Sequence, residues 1–219
     1  MESLPLDSQS TESRLNSRAG LRQAVEPYDY NPSAWSQRVP ISILAFVAAG
    51  ITVYMSLFQW GWIDTIWDPV FGGQTAKVLK SDLAERMFLL IGIHDSAMGT
   101  IAYLGDAILG LAGSTRRWQY RPWLVILFGI DVIPLGIVSS VLVAAQGLVV
   151  GSWCFLCLVT AAISLVLVYW AWDEVRVSLL YLWRVKQRSQ SWKTTWNAFC
   201  GFPDPISIQV GNHMVGHQQ

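Results

Sequence analysis

The chain has 219 residues, 53% of them hydrophobic and 14% charged, and its fifteen Lys and Arg balance its fifteen Asp and Glu. A soluble domain carries about 25% charged residues, so this composition excludes an ordinary water-soluble globule and points to a bilayer. The formal net charge of zero leaves no electrostatic footprint for a nucleic-acid partner.

Residues 1–39 are polar, mixed in charge and poor in large apolar side chains. They read as a disordered tail, and no apolar core of a signal peptide stands near their start. Ile41–Trp60 runs twenty residues without a charge, enough to cross a hydrocarbon core of about 30 Å as a first helix. Gly61–Ile93 is mixed: Trp62, Asp64, Trp67 and Asp68, a turn at Gly72-Gly73, then Ala76–Ser81 and the apolar run Phe88–Ile93, too short to cross. A short helix and an interfacial strip lying over the bundle are expected there. The second span is placed at Asp95–Leu111, with Asp95 as N-cap and Gly99, Ala102 and Gly105 allowing close helix contact.

Ser114–Arg121 is a short polar connection with three Arg. The third span is Pro122–Gln146, which Pro134 is expected to kink, and Gly147–Gly151 is a tight apolar turn. The fourth span is Trp153–Trp172, with Ser152 as N-cap and Cys154 in the first turn. Val175–Lys186 then reads as a basic amphipathic stretch, Trp192, Trp196 and Phe199 as one face of a surface helix, and residues 201–219 as a polar tail. The domain reading is therefore a tail (1–39), an all-α four-helix membrane domain capped by a long outer loop (40–175), and a cytoplasmic amphipathic segment with its tail (176–219). Many of the twelve Trp fall at the ends of the apolar runs, as interfacial belts require.

Twelve of the fifteen Lys and Arg lie in the N-terminal tail, the Arg116–Arg121 loop and the C-terminal region; only Lys77, Lys80 and Arg86 lie in the long loop. The positive-inside rule puts both termini in the cytoplasm and the Cys154 end outside, where in a bacterium disulfides persist.

The chemistry stands in Trp153-Cys154-Phe155-Leu156-Cys157. Two cysteines three apart on a helix share a face and can oxidise to a disulfide, and the positive end of a helix favours thiolate. Spacing alone leaves redox chemistry and inert apolar packing both open. Zinc would need two more ligands. Cys200 lies far off, an ordinary thiol by default, and His94, His213 and His217 do not cluster with the pair.

Three stretches together carry a family likeness: Cys154-Phe155-Leu156-Cys157, Asp95–Tyr103, and Val78-Leu79-Lys80-Ser81. In this order, on four helices with a long outer loop, the chain resembles the vitamin K epoxide reductase family over about residues 40–175. The resemblance implies a membrane thiol oxidoreductase built as a four-helix bundle around a quinone of the ubiquinone or menaquinone type. Cys157 would face the quinone and Cys154 would exchange disulfides outward with an extracytoplasmic thioredoxin-fold protein. Asp95 matches a polar residue that hydrogen-bonds a quinone oxygen, Ser81 a loop serine that helps hold the cap, and Tyr103 a tyrosine of the second helix.

Two departures matter. The family usually carries a second cysteine pair in the outer loop; here Thr75 stands where its second member would be, so a partner would have to reach Cys154 directly. Ala161, four residues after Cys157, replaces a Tyr of the members that reduce vitamin K, which puts vitamin K itself in doubt as substrate.

Asp106 and Asp131 both fall near the midplane of their spans. They read either as proton uptake coupled to quinone reduction or as an interhelix hydrogen bond. His94 reads either as a proton donor at the quinone or as a wet interfacial residue. The function expected is electron transfer between the Cys154/Cys157 dithiol and a quinone. The rival is a non-catalytic bundle with a structural or partner-binding role. A haem subunit lacks axial ligands, and a transporter lacks a visible inverted repeat.

Overall fold

The structure is a computed structural model, and it describes residues 31–215. The expected tail lies mostly outside them. Its last residues are ordered, because helix α1 (Trp35–Gln59) begins earlier than the apolar run that defines it. In the outer loop, α2 (Gln74–Leu79) and α3 (Asp82–Ile91) form, the latter capped by Ser81, whose Oγ accepts from Ala84 N–H. Helix α4 spans Asp95–Leu111, as read from the sequence. The short α5 (Arg117–Tyr120) leads to α6 (Pro122–Ala145), which runs through Pro134 into a π turn, Gln146–Val150, in place of the expected tight turn. Helix α7 covers Phe155–Ser189.

Among the described residues three helices are long and apolar enough to cross a membrane: α1, α6 with its π turn, and α7. A fourth span is made if Gln74–Leu90 and α4, which meet at 65°, count as one. Around the bundle α1 packs on α4, α4 on α6, α6 on α7 and α7 on α1. The central core joins Ala45, Ala48 and Ala49 of α1, Tyr103 and Ala107 of α4, Phe128 and Val132 of α6, and Leu167 and Ala171 of α7. The small residues let backbones approach, which is how helices associate where lipid offers no hydrophobic drive. Leu148, Val149, Ile101 and Tyr169 stay exposed, as lipid-facing side chains do.

Beyond Trp172 two expectations are corrected. The basic stretch is the continuation of α7, whose 35 residues span about 52 Å and outrun the hydrocarbon core. The helix expected at Trp192, Trp196 and Phe199 is α8 (Trp192–Cys200), but the polar tail after it holds a further helix, α9 (Pro205–Val215), and both fold back on α7. Trp118, Val175, Tyr181, Val185, Ala198, Val210 and Met214 make a second core there. Trp192 and Trp196 remain exposed.

Between the two cores sits a buried ionic cluster. Arg38, 1% exposed, donates from Nε to Gly110 O (2.8 Å) and from Nη2 to Ala112 O (2.6 Å). Arg117 donates from Nη1 to Leu109 O and Ala112 O, and from Nε and Nη2 to the two oxygens of Glu174, both at 2.7 Å. Ser33 Oγ–H also donates to Glu174. The last carbonyls of α4, which a helix cannot satisfy itself, thus meet two guanidinium groups at the negative end of its dipole. These cations, read from the sequence as topology signals, are packed into the protein.

Candidate functional site

Cys154 and Cys157 are disulfide-bonded, with Cα atoms 5.2 Å apart. The N-cap of α7 is Cys154 itself, not Ser152. Its Sγ accepts from Cys157 N–H at 3.1 Å, while Ser152 N–H bonds back to Gln146 O. The pair therefore sits on the unpaired N–H groups of a helix start, the place that stabilises a thiolate when the bridge is reduced.

The loop seals this end. Thr75, fully buried, accepts on Oγ1 from Phe155 N–H (3.0 Å), and Gln74 Oε1 accepts from Trp153 N–H (3.0 Å). Gln146 Oε1 accepts from Cys154 N–H (3.2 Å). Cys154 packs with Met55, Phe58, Val78, Leu79 and Leu156 and is 0% exposed. Cys154, which the sequence reading offers to a partner, is therefore covered by the loop in this structure.

The cap is held by its own carboxylate. Asp68 accepts from the N–H groups of Val70 and Phe71 on one oxygen and of Gly73 and Thr75 on the other. Slight desolvation pushes its carboxyl up, but the bonds from Thr75, Phe71 and Val70 outweigh that and hold it below its usual value.

Inside the bundle lies a cavity of about 430 Å³ between α4 and α6. Cys157 and Thr160 of α7, Thr52 and Met55 of α1, Asp95, Ser96 and Tyr103 of α4, and Asp131, Ser139 and Gln146 on the α6 side line it. Met98, Ile130 and Val138, exposed at membrane depth, form its rim, so a lipid-soluble molecule has a lateral way in. Apolar walls with a few convergent polar groups are what a small-molecule site requires.

Of the residues singled out from the sequence, Cys157, Asp95 and Tyr103 share this cavity. Asp95 is the first residue of α4, His94 taking the N-cap place, and it accepts from Gln59 Nε2 at 2.8 Å. Tyr103, 2% exposed, donates to Thr160 O at 3.0 Å with Ser164 Oγ 2.6 Å away. Cys154 lies behind Cys157, outside the lining. His94 stacks on Phe88, centroids 4.5 Å apart, and Ser81 caps α3; neither lines the cavity. Ala161 is buried and does not line it either.

Gln59, Gln146 and Gln74 are site residues the sequence reading passed over. An uncharged amide at the outer end of an apolar span was the available signal for the first two. Asp106 is fully buried and neither of its oxygens has a hydrogen-bond partner, so the interhelix hydrogen bond is not made.

The cavity would hold a quinone head by its volume, its apolar walls and the side-chain groups of Asp95, Tyr103 and Gln146 within it. The family model described as Vitamin K epoxide reductase family matches residues 39–172, which takes in α1, the outer loop, α4, α6 and α7 to Trp172. No curated protein and no solved structure matches the chain.

Proposed function

The chain belongs to the vitamin K epoxide reductase family, an integral-membrane family of redox oxidoreductases whose members use quinones, and from that premise we propose that it passes electrons between the Cys154/Cys157 dithiol and a quinone held between α4 and α6. The observation that carries the reading is that Cys157, a member of the redox pair, shares one membrane-depth cavity with Asp95. The quinone supplies a two-electron, two-proton acceptor.

The chain's own residues do the rest. Asp95, fixed by Gln59 and standing in the first turn of α4, holds a quinone oxygen by sharing a proton with it. Cys157 presents its sulfur to the cavity, and the N-terminus of α7 lowers the cost of its thiolate. Tyr103 and Gln146 position the head. Cys154 takes the outward disulfide exchange through a mixed disulfide with a thioredoxin-fold protein, after Gln74 and Thr75 release the cap. His94 and Ser81 act on the loop that closes the cavity rather than on the ligand. In this reading both termini are cytoplasmic and the bridge lies toward the outer side of the cell membrane.

Thiol trapping in native membranes, with and without added ubiquinone or menaquinone, tests it. Quinone is expected to drive the pair from thiols to disulfide, Cys157→Ser to abolish quinone reduction in a folded protein, and Asp95→Ala to weaken quinone binding. A pair that stays reduced whatever quinone is added overturns the reading.

A further inference from the structure

Three polar groups, two of them buried and the third at the cavity, step through the bundle from the half opposite the disulfide toward the cavity, and the thiol chemistry above makes no use of them. Ser42 Oγ, in the first turns of α1, is buried and has no hydrogen-bond partner. It fills the space in front of Gly110 of α4, where an added Cβ would lie 2.5 Å from it. Four residues outward on the same helix, about 6 Å along its axis, stands Asp106, fully buried with both oxygens unpartnered. Beside it Gly105 leaves room for Asp131 of α6, whose Oδ2 lies 2.5 Å from where a Cβ at Gly105 would be. Asp131 in turn lines the cavity.

Each member of this line costs stability. A carboxyl at the centre of a membrane helix costs about 2.5–3.5 kcal/mol, and a buried polar group without a partner about 1–3 kcal/mol. A packing role would be filled better by Leu, and a hydrogen-bonding role is not filled at all. The titratable groups facing Asp106 are Asp131 from α6 and Tyr103 from its own helix. Arg38 and Arg117, nearer the end of α4, are taken up by carbonyls and Glu174.

We propose that Ser42, Asp106 and Asp131 form a one-sided proton path, which feeds the cavity from the membrane face opposite the disulfide. The inference rests on the quinone-linked reading and adds a direction to it. As the Sγ–Sγ bond forms, two electrons leave the thiols and two protons are released at the disulfide end. The two electrons, with two protons drawn along the path, convert quinone to hydroquinone. Asp131 is the group that meets the ligand; Asp106 and Ser42 relay to it, with water between them. Each turnover then consumes protons on one face and releases them on the other, and so charges the membrane.

The full chain in sealed proteoliposomes containing ubiquinone, with a pH-sensitive dye in the lumen, tests this. A membrane-impermeant phosphine added outside reduces only molecules whose bridge faces outward. The lumen is expected to become alkaline during turnover, and a protonophore to collapse the change. Asp106→Asn and Asp131→Asn should each slow quinone reduction about a hundred-fold with an unchanged elution profile and melting midpoint. In the resting, quinone-free protein, the infrared band of a protonated carboxyl should be lost in Asp106→Asn. Quinone reduction without a lumen pH change, or Asp106→Asn turning over at the wild-type rate, overturns the path and leaves the thiol chemistry standing. Absence of quinone reduction in the wild type overturns both. If Asp106→Asn fails to fold, Asp131→Asn and the wild-type lumen signal decide.

Discussion

Glu174 shows how much a single residue holds at the end of the bundle opposite the disulfide. Both its oxygens take Arg117 at 2.7 Å, Ser33 donates to one of them, and Arg117 in turn closes the last turn of α4. Removing one member of a buried ion pair leaves the other charged and unpaired, at about 3–5 kcal/mol. Glu174→Leu should therefore lower the melting midpoint of the detergent-solubilised protein by many degrees; a midpoint unmoved by Glu174→Leu would refute the cluster's role. Residues of rare type were legible in the sequence. Cys154 and Cys157 stand out as a pair by their spacing, and Asp95 by its place in the stretch that carries the family resemblance. Gln146 and Thr75 were not legible as partners of the bridge, because what gives them a role is a contact with residues 154 and 155, made only when the loop and the π turn are in place. Arg38 and Arg117 misled for a related reason: a cation beside an apolar span looks like a topology signal, and only the free carbonyls of α4 show why these two turn inward.

At the scale of elements, the outer cap and the start of α7 behave as a latch over the disulfide. Thr75 Oγ1 and Gln74 Oε1 take two N–H groups of the helix start, and Thr75 N–H is held by Asp68. Thr75→Val keeps the shape and removes the acceptor, so opening becomes easier by about 1 kcal/mol. A water-soluble phosphine should then reduce the bridge about five-fold faster than in the wild type, and an unchanged rate would mean that the cap does not control access. Asp68 adds a pH dependence of definite sign. Its folded carboxyl is held below its ordinary value of 3.8, so the folded loop prefers the ionised form; its contribution is fully present above 3.8 and is lost as pH falls through the lower folded value. Asp68→Asn should loosen residues 68–75 at neutral pH, seen as faster proteolysis near Gly72-Gly73, and should remove the extra loosening the wild type shows in acid. The spans themselves were readable from long apolar runs, and α4 lies where the second span was read, with His94 rather than Asp95 as its N-cap. The helix starts were less readable, since a Ser before a cysteine looks like the better cap until the sulfur is seen accepting the bond. The spacing of Trp192, Trp196 and Phe199 marked α8, whereas α9 stayed hidden because its stability comes from Val210 and Met214 packing with Tyr181 and Val185 of the α7 extension, not from a periodic pattern in a polar tail.

For the whole molecule the decisive property is sidedness. The disulfide, the cap and Asp95 share one end of the bundle; the ionic cluster, α8 and α9 share the other, and the polar path between them has meaning only if the two ends face different compartments. In the orientation proposed from the distribution of Lys and Arg, the second end faces the cytoplasm. Cys200, the free cysteine among the described residues and partly exposed at the end of α8, reports on this without a new mutation. Asp64→Cys, in the exposed loop beyond α1, reports on the opposite end. With a membrane-impermeant maleimide, intact cells should label Asp64→Cys and leave Cys200 untouched, and Cys200 should react only once the inner face is opened. Labelling of Cys200 in intact cells would reverse the molecule. The disulfide would then face the cytosol, where glutathione keeps most thiols reduced, and protons for the cavity would come from outside. The same labelling therefore decides the compartment in which the pair is oxidised and the sign of the charge that turnover moves.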